Sequence, residues 1–200
     1  MHFVVGLGNG PSPFEVRLYH VDGTLVHIFT GHNDHVASVT VTRNGQHIIS
    51  GSSDNTVKVW NVATKRLVRT CNGHADDVNA VAVTPDGQRF LSGSRGGEVR
   101  VWLLDGTHQL YTGLELHTFK LHTDRVTALV ALPDNEHALS GSQDGTVKLF
   151  NVNDGAVLRT FKHHTGPVLS LTLLPDGLRF LSGSADKTAR IAYHGLAPPQ

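Results

Sequence analysis

Histidine, serine and aspartate recur along this chain in a fixed order, and hydrolytic triads are built from these residue types. Four histidines spaced 42, 48 and 42 residues apart each precede a serine by 18 residues, beginning with His32 and Ser50. In three of the four copies an aspartate follows the histidine by 22 residues. An imidazole between a hydroxyl and a carboxylate could activate the hydroxyl as a nucleophile. Because a hydrolase needs one such site rather than copies throughout the chain, the recurrence predicts a structural role.

The 14 histidines also raise the question of a metal site. Four are the repeat markers, His163 adjoins one of them, and His47 and His137 fall in turn positions where we expect solvated side chains. The single cysteine, Cys71, is predicted to be a small core residue, and no set of ligands has zinc-site spacing. We therefore predict no metal, no cofactor and no catalysis, with an enzyme or a metal-binding protein as the alternative.

The tripeptide Ser-Gly-Ser occurs four times in register with the histidines, beginning at Ser50, Ser92, Ser140 and Ser182. Around it apolar and polar residues alternate, as Val57 and Val59 do around Lys58, and turn sequences such as Pro85-Asp86-Gly87 separate the segments. Alternation with period two between such turns predicts short antiparallel strands. We count four strands per repeat, named a to d in chain order. A four-stranded unit of about 42 residues is one blade of a β-propeller.

These markers resemble the WD-repeat β-propeller family. The resemblance is carried by Gly31-His32, Gly73-His74, the Ser-Gly-Ser tripeptides and the run from Asp54 to Asn61. It implies an all-β fold of four-stranded antiparallel blades, each with a network joining the histidine, the serine, a turn aspartate and a strand-c tryptophan. Carried over residue by residue, the network comprises His32, Ser50, Asp54, Trp60, His74, Ser92, Trp102, His122, Ser140, Asp144, His164, Ser182 and Asp186. Three positions depart from the pattern: Gly96 replaces the second aspartate, and Phe150 and Ala192 replace the last two tryptophans.

The spacing of the histidine and Ser-Gly-Ser markers also predicts where each blade begins and ends. Residues 1–31 would form a partial N-terminal blade with strands c and d, and strand b as a further candidate. Three full repeats follow, at 32–73, 74–121 and 122–163, the second with six extra residues between strands c and d. Residues 164–193 would form a repeat without strand d, and 194–200 a tail.

Four to five blades are fewer than the roughly seven usual in the family, so we expect a partial or open propeller. Three explanations stay open. The chain could be part of a larger propeller, it could assemble with a second chain, including a copy of itself, or it could close alone as a small ring with an N-terminal strand completing the last repeat.

The resemblance implies a non-catalytic scaffold or adaptor that binds other proteins or peptides on the face formed by the d–a and b–c loops. Candidate contact residues are those that vary where their neighbours repeat: His35, Asp77, Arg125, Ser53, Arg95 and Gln143. The balance of 17 Lys+Arg against 17 Asp+Glu argues against a nucleic-acid partner. No stretch approaches the roughly 18 apolar residues of a membrane span, so no membrane partner is expected either. We expect a cytoplasmic location, with the nucleus as the alternative.

Overall fold

The computed structural model describes residues 2–6, 14–104 and 113–196, and the regular elements within these ranges are all β-strands. The N-terminal sheet contains β1 (His2–Gly6), β2 (Glu15–His20) and β3 (Leu25–Thr30). The second contains β4 (Val36–Val41), β5 (His47–Ser52), β6 (Val57–Asn61) and β7 (Arg66–Cys71). No helix in these ranges is long and apolar enough to cross a membrane.

The third sheet contains β8 (Val78–Val83), β9 (Arg89–Ser94), β10 (Glu98–Leu103) and β11 (Glu115–Lys120). The fourth contains β12 (Val126–Ala131), β13 (His137–Ser142), β14 (Val147–Asn151) and β15 (Val157–Phe161). The fifth contains β16 (Val168–Leu173), β17 (Arg179–Ser184) and β18 (Ala189–Tyr193). Most of the predicted c–d insertion, 105–112, lies outside the described residues, as do 197–200.

Each sheet is an antiparallel meander whose strands follow chain order. The marker serine of strand b is held between strands a and c, as Ser50 is between Val39 and Lys58. A β-bulge near the start of strand a, between Val36 and Ser38 in the second sheet, recurs in the third, fourth and fifth sheets. The bulge shifts the alternation by one residue, so Val36 and Val39 contact the same neighbouring sheet.

Neighbouring sheets pack face to face through a glycine of strand b. A Cβ atom added at Gly51 would lie 2.7 Å from Val78 Cγ1 of the next sheet, and one at Gly93 would lie 2.4 Å from Val126 Cγ1. The same contact joins Gly6 to Val36, so β1 takes the strand-b position of the N-terminal sheet. The cores lie between adjacent sheets, where they bury Val57, Val59 and Trp60 among others.

The fold is the predicted all-β, partial and open propeller. Strands β1 to β3 form a sheet of their own, and in the described residues no N-terminal strand pairs with β18. The third explanation, that the chain closes alone by that pairing, is therefore wrong for the described residues, because the N-terminal strands form a three-stranded sheet at the opposite end of the stack.

Burial corrects one expectation about the histidines. His47 is 8% exposed rather than solvated, because it opens β5, where its backbone N–H donates to Thr42 Oγ1 (3.0 Å). Burial lowers the pKa of His47. His137 is half-buried, with its Nδ1 2.8 Å from Asp134 Oδ2. Cys71 is buried as predicted, and burial raises the pKa of its thiol to about 12.

Candidate functional site

The first repeat contains a continuous chain of hydrogen bonds through its core. Trp60 Nε1 donates to Ser50 Oγ (2.9 Å), which lies 2.7 Å from His32 Nε2. His32 Nδ1 lies 2.8 Å from Asp54 Oδ2. Because a carboxylate only accepts, Nδ1 carries the imidazole proton, and Nε2 accepts from the serine hydroxyl. The order of donors and acceptors therefore runs in one direction, from the indole to the carboxylate.

Asp54 ties this chain to the loops around it. Its Oδ1 accepts hydrogen bonds from Thr56 N (3.0 Å) and Oγ1 (2.6 Å), and its Oδ2 accepts from Asn33 N (2.9 Å). Burial alone would raise the pKa of the Asp54 carboxyl, but the hydrogen bonds from His32, Thr56 and Asn33 hold it well below its usual value. The carboxylate therefore stays ionised and joins the d–a loop to the b–c turn.

The third repeat reproduces the imidazole and carboxylate contacts without the indole. His122 lies 2.8 Å from both Asp144 Oδ2 and Ser140 Oγ, and Phe150 occupies the tryptophan position. In the part of the chain that the structure describes, Ser140 receives no substitute ring N–H. The fourth repeat also joins His164 to Ser182 (2.8 Å) and to an aspartate, Asp186 (2.9 Å).

In the fourth repeat a different residue replaces the tryptophan. Ala192 has no donor, but His163 Nε2 lies 2.9 Å from Ser182 Oγ, the same distance that separates Trp60 Nε1 from Ser50 Oγ in the first repeat. Neither the extra histidine nor the missing tryptophan alone predicts this contact. The signal was their coincidence, since the extra histidine and the missing tryptophan fall in the same repeat.

The second repeat keeps the indole and the serine but lacks the carboxylate. Trp102 Nε1 donates to Ser92 Oγ (2.8 Å), and Ser92 Oγ lies 2.6 Å from His74 Nε2. Gly96 stands in place of the aspartate, and His74 Nδ1 is buried with no hydrogen-bond partner among the described residues. Burial is the main cause that lowers the pKa of His74, to about 4.

Three of these networks have triad geometry, but the location of all four does not suit catalysis. All four serine side chains are fully buried, and each hydroxyl is already engaged by an imidazole. A substrate would have to enter the sheet core to reach them. In the described ranges, no group of three or more His, Cys, Asp or Glu side chains could hold a metal ion.

The structure brings the candidate contact residues together in pairs at one end of the blades. In each pair the amide of a b–c turn residue donates to the carbonyl of a residue before strand a: Ser53 to His35 (2.8 Å), Arg95 to Asp77 (2.8 Å) and Gln143 to Arg125 (2.9 Å). We call these six residues the rim. Its backbone geometry repeats while its side chains differ, and only the second pair forms an ion pair, at 3.8 Å.

Curated relatives match part of this chain. Over 60 residues, 30% of the chain, it is 45% identical to a ribosome biogenesis protein BOP1 homolog of Drosophila grimshawi. It is 43% identical over 60 residues to the BOP1 homologs of Drosophila persimilis and Drosophila willistoni. The aligned stretch covers only 7% of the first two relatives and 8% of the third.

The WD40 family profile (WD domain, G-beta repeat) matches residues 23–61, 65–102, 113–151 and 155–191. Each matched segment begins at or just before strand d of one sheet and ends in strand c of the next, so one sequence repeat joins two blades. Together the segments cover more than half of the chain, which therefore belongs to the WD40 repeat family.

Proposed function

We propose that this chain is a non-catalytic scaffold or adaptor that binds other proteins or peptides at the rim. The observation that carries the proposal is the rim's construction. The backbone bond between its paired positions repeats at 2.8 to 2.9 Å, while the side chains change from blade to blade. A fixed backbone that carries variable side chains is suited to recognition, since the sheets position the loops rigidly.

Two arginines dominate the chemistry of the rim. Arg95 has 57% of its side chain exposed, and its contact with Asp77 leaves the guanidinium accessible. Arg125 is half-buried, and its Nε is buried without a hydrogen-bond partner in the described part of the chain. Exposed guanidinium groups favour partners with carboxylate or other anionic groups. We therefore infer an acidic peptide segment as the preferred ligand.

Charge reversal at the rim tests the proposal. The double variant Arg95→Glu and Arg125→Glu should lose the proteins that the unmodified chain captures from lysate, as identified by mass spectrometry. The matched control is Arg43→Glu with Arg66→Glu, which reverses two charges at the opposite ends of the strands and should leave the captured set unchanged. An identical set for both double variants would refute a role for the rim.

We further propose that the scaffold serves ribosome biogenesis. The support is the similarity over 60 residues to the BOP1 homologs, which are named ribosome biogenesis proteins. That context favours the nuclear alternative over the cytoplasmic location expected from the sequence. Imaging the fluorescently tagged protein in its own cells tests this, and exclusion from the nucleus would contradict it.

The open fifth sheet supports a proposal about assembly. Either a longer parent chain or a second copy would cover it with a further blade, and the five blade segments predicted from the sequence would then be units of a larger ring. Light scattering over a concentration series distinguishes the two, since only self-association makes the mass rise with concentration.

A further inference from the structure

The second repeat differs from the other three at the turn position whose side chain bonds the histidine. An aspartate occupies that position in the first, third and fourth repeats, whereas the second has Gly96. The histidine that such an aspartate would bind, His74, is only 6% exposed, and its Nδ1 has no hydrogen-bond partner in the described ranges. The hydrogen-bond network of this repeat therefore lacks the carboxylate that accepts from the histidine in the other repeats.

The unpaired nitrogen of His74 is a hydrogen-bond donor. Trp102 Nε1 donates to Ser92 Oγ, and by analogy with the repeats that have the aspartate we assign the Ser92 hydroxyl as the donor to His74 Nε2, 2.6 Å away. The remaining imidazole proton is then on Nδ1, as in the repeats where Nδ1 donates to a carboxylate. A buried N–H without an acceptor is unfavourable, so this atom favours any acceptor that can reach it.

The turn leaves room for such an acceptor. A Cβ atom added at Gly96 would have only Ser94 Oγ within 4 Å, at 3.7 Å. In the other repeats the aspartate also accepts from the amide of the residue after the histidine, at 2.9, 3.3 and 3.1 Å. The equivalent amide here belongs to Ala75, which is exposed.

Charged side chains of both signs surround the position. Lys120 Nζ donates to the carbonyl of Gly96, and Arg95 of the rim precedes that glycine directly. Glu98 stands where the other repeats have a threonine, but its carboxylate lies 3.6 Å from Arg100, which also bonds to Glu115. The nearby acidic groups are thus directed to Arg100, and none bonds to His74.

We propose that the second repeat binds an aspartate or glutamate side chain of a partner peptide, which accepts the Nδ1–H of His74 and the amide of Ala75. This deepens the rim function proposed above and rests on it. In the three other repeats the same arrangement of imidazole and amide binds a carboxylate. The vacant position adjoins Arg95, so a peptide lying on the rim would place an acidic side chain there.

The test is a titration followed by NMR of the ¹⁵N-labelled chain. The probes are a capped pentapeptide, Gly-Ser-Asp-Gly-Ser, its asparagine counterpart, and acetate. The aspartate peptide should shift the His74 ring and Ala75 amide signals, with the asparagine peptide binding at least about tenfold more weakly. Equal binding of the two peptides, or no shift with either, would overturn the proposal. An equal response to acetate would overturn its assignment to a partner's side chain.

The matched variant Gly96→Asp supplies the missing carboxylate from within the chain. It should abolish the response of His74 to the aspartate peptide, because the new carboxylate would accept the Nδ1–H. The variant should still fold, because the other three repeats have an aspartate at the same position and a Cβ atom at Gly96 has open space around it. If this variant did not fold, His74→Phe would serve, since it removes the N–H and should also abolish binding.

Two further experiments distinguish an internal acceptor from a partner's carboxylate, and this inference from the proposed rim function. If the aspartate peptide shifts the His74 and Ala75 signals only in the Glu98→Gln variant, then the Glu98 carboxylate is the acceptor for His74 in the unmodified chain. In that case the proposal is wrong. If Gly96→Asp captures the same proteins from lysate while the rim double variant loses them, this inference fails and the proposed function stands.

Discussion

The interior sheets and the last sheet have the same sequence pattern in opposite surroundings. In the interior, Gly51, Gly93 and Gly141 of strand b are each covered by a valine of the next sheet, at 2.4 to 2.8 Å from an added Cβ. At Gly183 an added Cβ would meet only Ser170 Oγ of its own sheet, at 2.7 Å. Val59, Val101 and Ile191 occupy equivalent positions in strand c. The two interior valines are 0% exposed, whereas Ile191 of the last sheet is 59% exposed.

This difference shows that a single blade cannot bury its own apolar surface. Its two faces are both apolar, and each is buried only when a neighbouring blade lies against it. The last sheet leaves Leu169, Ile191 and Tyr193 exposed by 54%, 59% and 49%. Uncovered apolar side chains and strand edges favour association, so the end of the stack is where a further blade would bind.

Truncating equivalent apolar residues in an interior sheet and in the last sheet should give the largest difference in the free energy of unfolding. Leu149→Ala empties a site that is 1% exposed and should lower the free energy of unfolding by about 3 kcal/mol. Ile191→Ala at the equivalent end position should lower it by less than about 1 kcal/mol, since most of that side chain is already in water. Urea denaturation measures both. Equal losses would mean that the last sheet is covered in solution.

Filling the strand-b glycine should show the same contrast. In Gly93→Ala the new methyl group would lie 2.4 Å from Val126 Cγ1 and 2.8 Å from Val126 Cβ. Such overpacking should destabilise the fold by about 2 kcal/mol. Gly183→Ala, the matched control, meets one serine hydroxyl that can rotate away, so its melting temperature should stay close to that of the unmodified chain. A larger loss at Gly183 would contradict the open end.

Burial inside the stack should also make stability depend on pH. The pKa of His74 is about 4 in the folded chain, against an ordinary value of 6.5. The unfolded chain therefore binds a proton first, and stability falls as the pH drops from 6.5 towards 4. Between pH 7 and pH 5 the loss from this group should be about 2 kcal/mol.

Urea denaturation at the two pH values measures this loss. Gly96→Asp should reduce it, because a carboxylate beside His74 stabilises the charged ring. Identical denaturation midpoints at pH 7 and pH 5 would contradict the burial of a neutral imidazole.

The smallest expected effect concerns the substitute donor in the end repeat. His163→Phe removes the ring nitrogen 2.9 Å from Ser182 Oγ and should cost about 1 kcal/mol. His163→Gln should retain part of that energy through its amide N–H. His117→Phe, at an exposed position, is the control and should change the melting temperature little. If all three variants melt alike, His163 does not replace the tryptophan.

The family resemblance could place the repeated network on this sequence because its members lie within one blade at constant spacing. His32 and Ser50 are 18 residues apart, and the same interval puts Nε2 within 2.6 to 2.8 Å of the serine hydroxyl in all four repeats. Two short strands and their turns fix that distance locally. The burial of His47 escaped prediction because it depends on where a turn ends, which the pattern of Pro, Asp and Gly does not define to one residue.

The sequence by itself indicated the short antiparallel strands, since alternation and turn length define them, and its resemblance to the WD-repeat family supplied the network members other than His163. Only the tertiary structure decided which glycines are covered, that β1 completes the N-terminal sheet, and that His74 Nδ1 is left without an acceptor. Those facts depend on contacts between sheets and on side-chain direction. Residues about 30 positions apart in the chain make the contacts between sheets, as Gly51 and Val78 do, and no local pattern encodes them.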